Sequence, residues 1–223
     1  MTSDPARRQA SRANAVNPFV GASVAARYAA ARPALHERTL RAIAARFPHA
    51  RRALDIGCGT GMSTRAAGAV ADHVTGLDAS ADMLRQADRT AGTSYVLAAA
   101  ERLPFADAVF DLVTIASAIH WFEPPALAEC RRVLGDDGHL LVYDIWFPAE
   151  MTGEPGFRER LADILERRYP AVVKNPRPDL SSMGFEARWK DDLHFDVPMT
   201  RDALAECLMS HSERIAAVKD GRE

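Results

Sequence analysis

A short apolar run, Ala53-Leu54-Asp55-Ile56, ends in Gly57-Cys58-Gly59-Thr60-Gly61 and passes directly into a stretch of helical spacing. Few folds can use such a segment. Three glycines within five positions supply backbone where φ must be positive, or where a ligand lies too close for a Cβ. The next apolar run, residues 74–78, ends in Asp78, 17 residues beyond Gly61. A strand, a glycine turn, a helix and a second strand tipped by an acid make the opening of a nucleotide-binding βαβ unit.

Further apolar runs at 95–98, 109–116 and 139–145 alternate with helical stretches at 60–70, 80–89 and 124–134. Such alternation requires right-handed crossovers, and so predicts an α/β fold: a mostly parallel sheet with helices on both faces, its ligands at the carboxyl ends of the strands. Upstream, residues 25–47 read as a helical lead-in of two helices meeting at Arg32-Pro33. After strand five the alternation stops. Residues 146–184 hold one amphipathic stretch, 156–169, and a proline-rich segment, 170–178, which together read as a helical cap over the substrate region. Residues 185–197 predict a last strand kinked at Asp191-Asp192, and 200–218 a helix. With 223 residues the chain suffices for one domain, 19–223, behind a tail, 1–18, expected to be disordered.

Spacing separates two nucleotide readings. A dinucleotide turn wants its third glycine at position 62, which is Met62, and Asp55 just before the loop disfavours a pyrophosphate while favouring a cation. The ligand indicated is free of phosphate and positively charged, which S-adenosylmethionine satisfies. Residues 54–61 resemble motif I of the class I methyltransferases. Leu77-Asp78-Ala79-Ser80, with Met83 and Leu84, is similar to that family's ribose-binding acid and the apolar residue packed on adenine. Residues 99–105 and 109–113 resemble the adenine loop and fourth strand of the type 11 methyltransferases. His120-Trp121-Phe122, with Tyr28 and Arg32-Pro33, is similar to a small-molecule subgroup that includes trans-aconitate methyltransferase-like enzymes.

The resemblance implies a Rossmann-like class I methyltransferase fold, S-adenosyl-L-methionine as cofactor and S-adenosyl-L-homocysteine as product. It places the cofactor on Asp55, Gly57, Gly59, Thr60, Gly61, Asp78, Ala79, Met83, Ala100, Glu101, Leu103 and Ala116, with Arg32 reaching an anionic group. Tyr28, Trp121 and Trp146 fall on the substrate side, and His120, past the fourth strand, is the candidate general base. Two departures stand out. Ala99 occupies the position where many relatives carry an acid for the adenine amino group. The family's closing antiparallel strand has no counterpart after Val218, and an uncovered edge invites pairing, which raises a homodimer as an expectation.

Composition narrows the partners. A formal charge of -2 and a pI near 6.4 give no broad attraction for phosphate backbones, so no nucleic acid is expected. No apolar window approaches a membrane span. Cys58, Cys130 and Cys207 lie far apart, which fits a reducing cytoplasm, and neither they nor the histidines show metal-ligand spacing. The expected activity is methyl transfer to an O or N atom of a small-molecule metabolite. The alternatives are a non-catalytic module that binds the same cofactor, and an NAD-dependent oxidoreductase, which Met62 and Asp55 oppose.

Overall fold

The computed structural model describes residues 18–19, 21–169 and 174–219. Two helices, α1 (Ala22–Ala31) and α2 (Leu35–Ile43), lead into β1 (Ala50–Ile56), α3 (Met62–Ala67), β2 (Ala71–Asp78), α4 (Ala81–Leu84) and β3 (Thr93–Leu97). Then follow β4 (Phe110–Ala116), a 3-10 turn (Ile119–Trp121), α5 (Pro125–Val133) and β5 (Leu134–Tyr143). Beyond the sheet lie α6 (Phe157–Arg168), α7 (Arg201–Met209) and α8 (Ser212–Lys219). The strand order is β3-β2-β1-β4-β5, and every neighbouring pair is parallel. The order reverses beside β1, so the tips of β1, β2 and β4 frame the crevice where such sheets take ligands.

Burial on both faces explains the near-continuous apolar strands. Leu54, Ile56, Val113 and Ile115 point to one side, where Leu127, Cys130 and Val133 of α5 cover them. Ala53 and Leu112 point to the other, against Leu40 and Ile43 of α2 and Ala66 and Ala67 of α3. Asp55 and Thr114, two residues on from Ala53 and Leu112, face the same side as those residues and are partners in the β1–β4 register. This puts a carboxylate inside the sheet's second face.

The lead-in breaks at Arg32-Pro33, as the proline predicts. Three expectations are corrected. Residues 80–89 form only the short α4, capped by the Ser80 hydroxyl on the Met83 amide. Residues 185–197 form no strand. Side chains anchor that segment instead: Trp189 packs on the second core cluster, Arg46 pairs with Asp191 at 2.6 Å, and Arg38 stacks on Phe195. Residues 200–218 split into α7 and α8, because Ser210 Oγ turns back on the Cys207 carbonyl at 2.6 Å and competes with the helical ladder. Among the described residues β5 is therefore the last strand at its edge. Residues 1–17 of the expected tail and part of the proline-rich segment, 170–173, lie outside the described residues. Among the described residues no helix is long and apolar enough to cross a membrane, and no cluster of three metal-ligating side chains occurs.

Candidate functional site

A cavity of about 200 Å³ opens at the carboxyl tips of β1, β2 and β4. Its floor is the glycine turn. Gly57, Gly59 and Gly61 all have positive φ, at 72°, 55° and 75°. Their reasons differ. A Cβ on Gly57 would stand 2.6 Å from that of Ala118, so this glycine lets the loop press against the turn after β4. A Cβ on Gly61 would meet the Tyr95 hydroxyl at 2.4 Å, and Gly61 packs the loop on β3 without lining the cavity. A Cβ on Gly59 would meet nothing within 4 Å.

Asp78 ends β2 on the cavity wall. Its Oδ2 accepts the Gly59 N–H at 2.8 Å and its Oδ1 accepts the Ser80 N–H at 2.8 Å, which fixes the carboxylate between loop and helix. Burial raises its pKa, while the two amides pull the other way. Each oxygen retains lone-pair capacity for a ligand hydroxyl. Thr60, also on the wall, has a buried hydroxyl with no hydrogen-bond partner. An orphaned buried hydroxyl costs about 1–3 kcal/mol, and a polar ligand group removes that cost.

Asp55 behaves otherwise than its place in the sequence suggests. It is fully buried, 0% exposed, and does not line the cavity. The hydroxyls of Ser63, Thr64 and Thr114 donate to its carboxylate at 2.6, 2.8 and 2.8 Å. Burial raises its pKa and these bonds oppose the rise. The side chain ties β1, α3 and β4 together behind the loop. It reaches the cavity only through its field.

Of the other expected cofactor residues, Ala79, Met83, Ala100, Glu101 and Ala116 line the cavity. Leu103 is buried behind it, its N–H given to Glu129 at 2.7 Å. Glu101 accepts the Glu123 N–H at 2.9 Å. Arg32 stands one step back, its guanidinium 4.9 Å above the Tyr28 ring and donating to the Ser210 carbonyl at 3.1 Å. Its Nε is buried without a partner.

On the substrate side, Tyr28 and Trp121 line the cavity as an aromatic wall. Phe19 sits between them, edge-to-face with each at 5.7 and 5.8 Å. Trp146, 70% exposed, stands away from it. His120 packs beside Trp121 with ring centroids 5.1 Å apart, and is not part of the wall. Among the described residues the cap contributes nothing to the lining. It touches the site from outside, where Asn175 donates to the His120 and Phe122 carbonyls at 2.9 Å each.

Sequence reasoning missed several wall residues, among them His36, Cys58 and Ser117. Ser117 has φ 53°, and its hydroxyl accepts the Ile145 N–H at 2.9 Å, joining the tips of β4 and β5. Its position just past an apolar strand was the available signal. Burial raises the Cys58 thiol pKa far beyond its ordinary range, so the sulfur sits in the wall as a neutral apolar group. His36 has no such signal, since helix α2 reaches the cavity only through tertiary packing.

Comparison with known proteins agrees with this geometry. Residues 54–142 match a family described as a methyltransferase domain. The chain is 40% identical over 119 residues to the malonyl-acyl-carrier-protein O-methyltransferase of Geobacter sulfurreducens, covering 50% of this chain and 45% of that protein. It is 33% identical over 147 residues to the demethylmenaquinone methyltransferase of Renibacterium salmoninarum, covering 63% of this chain and 60% of the relative. The chain thus spans roughly half the length of these curated relatives. Its fold is similar to that of a candidate type II methyltransferase from Anaeromyxobacter dehalogenans, with a TM-score of 0.58 and 22% identity over 85% of this chain and 81% of that one.

Proposed function

We propose, for a chain that carries a methyltransferase domain over residues 54–142, that it transfers the methyl group of S-adenosyl-L-methionine to an O or N atom of a small-molecule metabolite. The observation that carries this reading is the Asp78 carboxylate, clamped by the Gly59 and Ser80 amides on the wall of the cavity. The residues present fit the cofactor. Asp78 suits a pair of ribose hydroxyls, the Thr60 hydroxyl awaits a polar partner, and Met83 and Ala100 offer apolar packing to a base. None of the described residues lining the cavity is a lysine or arginine, which is what a pyrophosphate would ask for.

Bound, the cofactor supplies a methyl group already activated by the positive charge on its sulfur. The protein's share is therefore alignment and exclusion of water. Phe19, Tyr28 and Trp121 close one side with aromatic surface, and the tips of β1, β2 and β4 hold the other side rigid. Neutral Cys58 adds apolar surface without competing as a nucleophile. His120 serves as the proton acceptor when the metabolite sits at the outer rim, beside Trp121. The two named relatives bear the names of different acceptors while matching this chain over about half their length, which supports an acceptor specificity set outside the shared part.

Calorimetry with S-adenosylhomocysteine tests the reading. The wild type binds and Asp78→Ala binds about 10- to 100-fold more weakly, the scale of charge-assisted hydrogen bonds. NAD binding in place of S-adenosylhomocysteine would overturn it. Transfer of a labelled methyl group to a metabolite extract then separates an enzyme from a binding module.

A further inference from the structure

Two half-buried side chains that the proposed reaction leaves unused meet at the edge of the cavity. His36, on α2, lines the cofactor cavity, and its Nδ1 lies 3.0 Å from the hydroxyl of Tyr143, the last residue of β5. The two rings pack edge-to-face with centroids 5.8 Å apart. Strand β5 is held by the sheet and α2 by the second core cluster, so the imidazole has little freedom to turn.

Proton accounting fixes which nitrogen carries the hydrogen. Among the described residues the Tyr143 hydroxyl has no partner besides His36. Its pKa is raised well above the ordinary phenol value by burial, and next by the Asp55 charge, so it keeps its proton. If the phenol accepted from Nδ1–H, its own proton would be left without an acceptor among the described residues, and a hydrogen bond of about 0.5–1.5 kcal/mol would be forgone. The satisfied arrangement has the phenol donating to Nδ1, which puts the ring hydrogen on Nε2. Among the described residues Nε2 has no hydrogen-bond partner, and it is not among the fully buried unpartnered atoms, so it is accessible from the cavity.

We propose that His36, oriented by the Tyr143 hydroxyl, presents its Nε2–H to the cavity as the hydrogen-bond donor for a ligand carboxylate. The inference rests on the methyl-transfer reading above. The surroundings suit an anion. Among the described residues Arg32 has no carboxylate partner, and Arg65 is 3.6 Å from the exposed Asp88. Arg41, also nearby, is already held by Glu37. Burial, then Arg32, then Arg65 lower the His36 pKa to about 4, so the ring stays a neutral donor and a poor base at neutral pH. His36 and Met62 also border an outer cavity of about 390 Å³ lined by Arg41 and Arg65. A carboxylate can therefore come from either side, as the amino-acid tail of the cofactor or as a group on the acceptor.

The test uses three variants of the full chain and three probes: S-adenosylhomocysteine, 5′-methylthioadenosine, which lacks the amino-acid tail, and malonate added to the S-adenosylhomocysteine complex. His36→Leu removes the donor, His36→Gln restores one at similar reach, and Tyr143→Phe frees the ring while preserving its packing. If the carboxylate is the cofactor's, His36→Leu weakens S-adenosylhomocysteine about tenfold and leaves methylthioadenosine unchanged. His36→Gln recovers most of the loss and Tyr143→Phe loses a lesser amount. If the carboxylate is the acceptor's, both nucleoside affinities hold and malonate binding falls by a similar factor. Equal weakening of both nucleosides, or no change with any probe, overturns the proposal. Failure of the wild type to bind either nucleoside would instead strike the methyl-transfer reading.

Discussion

The two ends of the chain are built on different terms. From α1 to β5, backbone and side chains are fixed together: fully buried Leu54, Ile56 and Leu77 back a glycine turn whose Gly59 amide holds Asp78, and three hydroxyls hold Asp55. After β5 the layer is thin. The described part of α6 has no buried residue, and the segment at 184–200 is held by half-buried side chains such as Trp189 and by exposed pairs such as Arg46–Asp191. The contrast suits the proposed function: a cofactor common to many reactions would reward one rigid cradle, whereas a layer that selects an acceptor would gain by being easy to alter.

Substitutions can break this contrast. The largest expected effect is Leu54→Ala, which empties a fully buried site and costs about 2–5 kcal/mol. Ile164→Ala on α6, where the side chain is 56% exposed, stays within about 0.5 kcal/mol. Urea unfolding measures both, and comparable losses would show that the later layer shares the core's stability. A second pair is matched in conformation. Gly61 and Gly184 have φ of 75° and 79°, so alanine at either carries the left-handed strain of about 1–2 kcal/mol. Only at Gly61 would the added Cβ strike a neighbour, the Tyr95 hydroxyl at 2.4 Å, while Gly184 has nothing within 4 Å. Gly61→Ala should therefore lower the melting temperature further, by the about 1–3 kcal/mol of overpacking. Equal shifts would mean that Tyr95 yields freely.

The same contrast explains what the sequence discloses. The glycine turn and Asp78 are legible because their constraints are local: a positive φ and a strand tip show as residue type and spacing. Asp55 was legible as an acid in the right place, but its direction was not, because strand parity turned it to the α2–α3 face. The register with Thr114 and the hydroxyls at 63 and 64 decided its role. His36 was illegible for the opposite reason, being an ordinary helical residue brought to the cavity by packing over 107 residues of sequence from Tyr143. The expected strand at 185–197 failed because its alternation served to place Trp189 and Phe195 against the lead-in helices, with no neighbouring strand to pair with.

The smallest expected effect concerns a cation that links the two ends. Arg32 follows α1, stacks on Tyr28 at the cavity and donates to the Ser210 carbonyl between α7 and α8. It helps to lower the pKa of His36 on the cofactor side and of His211 on the later side. Burial is the larger cause for both, and each pKa falls to about 4. The sign follows from linkage. A histidine kept neutral in the folded state takes up its proton first in the unfolded chain, so its stabilisation is whole above pH about 6.5. That contribution is lost as the pH falls towards 4. Arg32→Met removes the nearby charge while keeping much of the bulk, so both histidine midpoints should rise in an NMR titration and the acid loss of stability should shrink. Arg65 still acts on His36 and Arg214 on His211, so the rise is partial at each. Movement of His36 alone would break the electrical link between the cradle and the later helices, and would leave Arg32 as a residue of the cofactor side only.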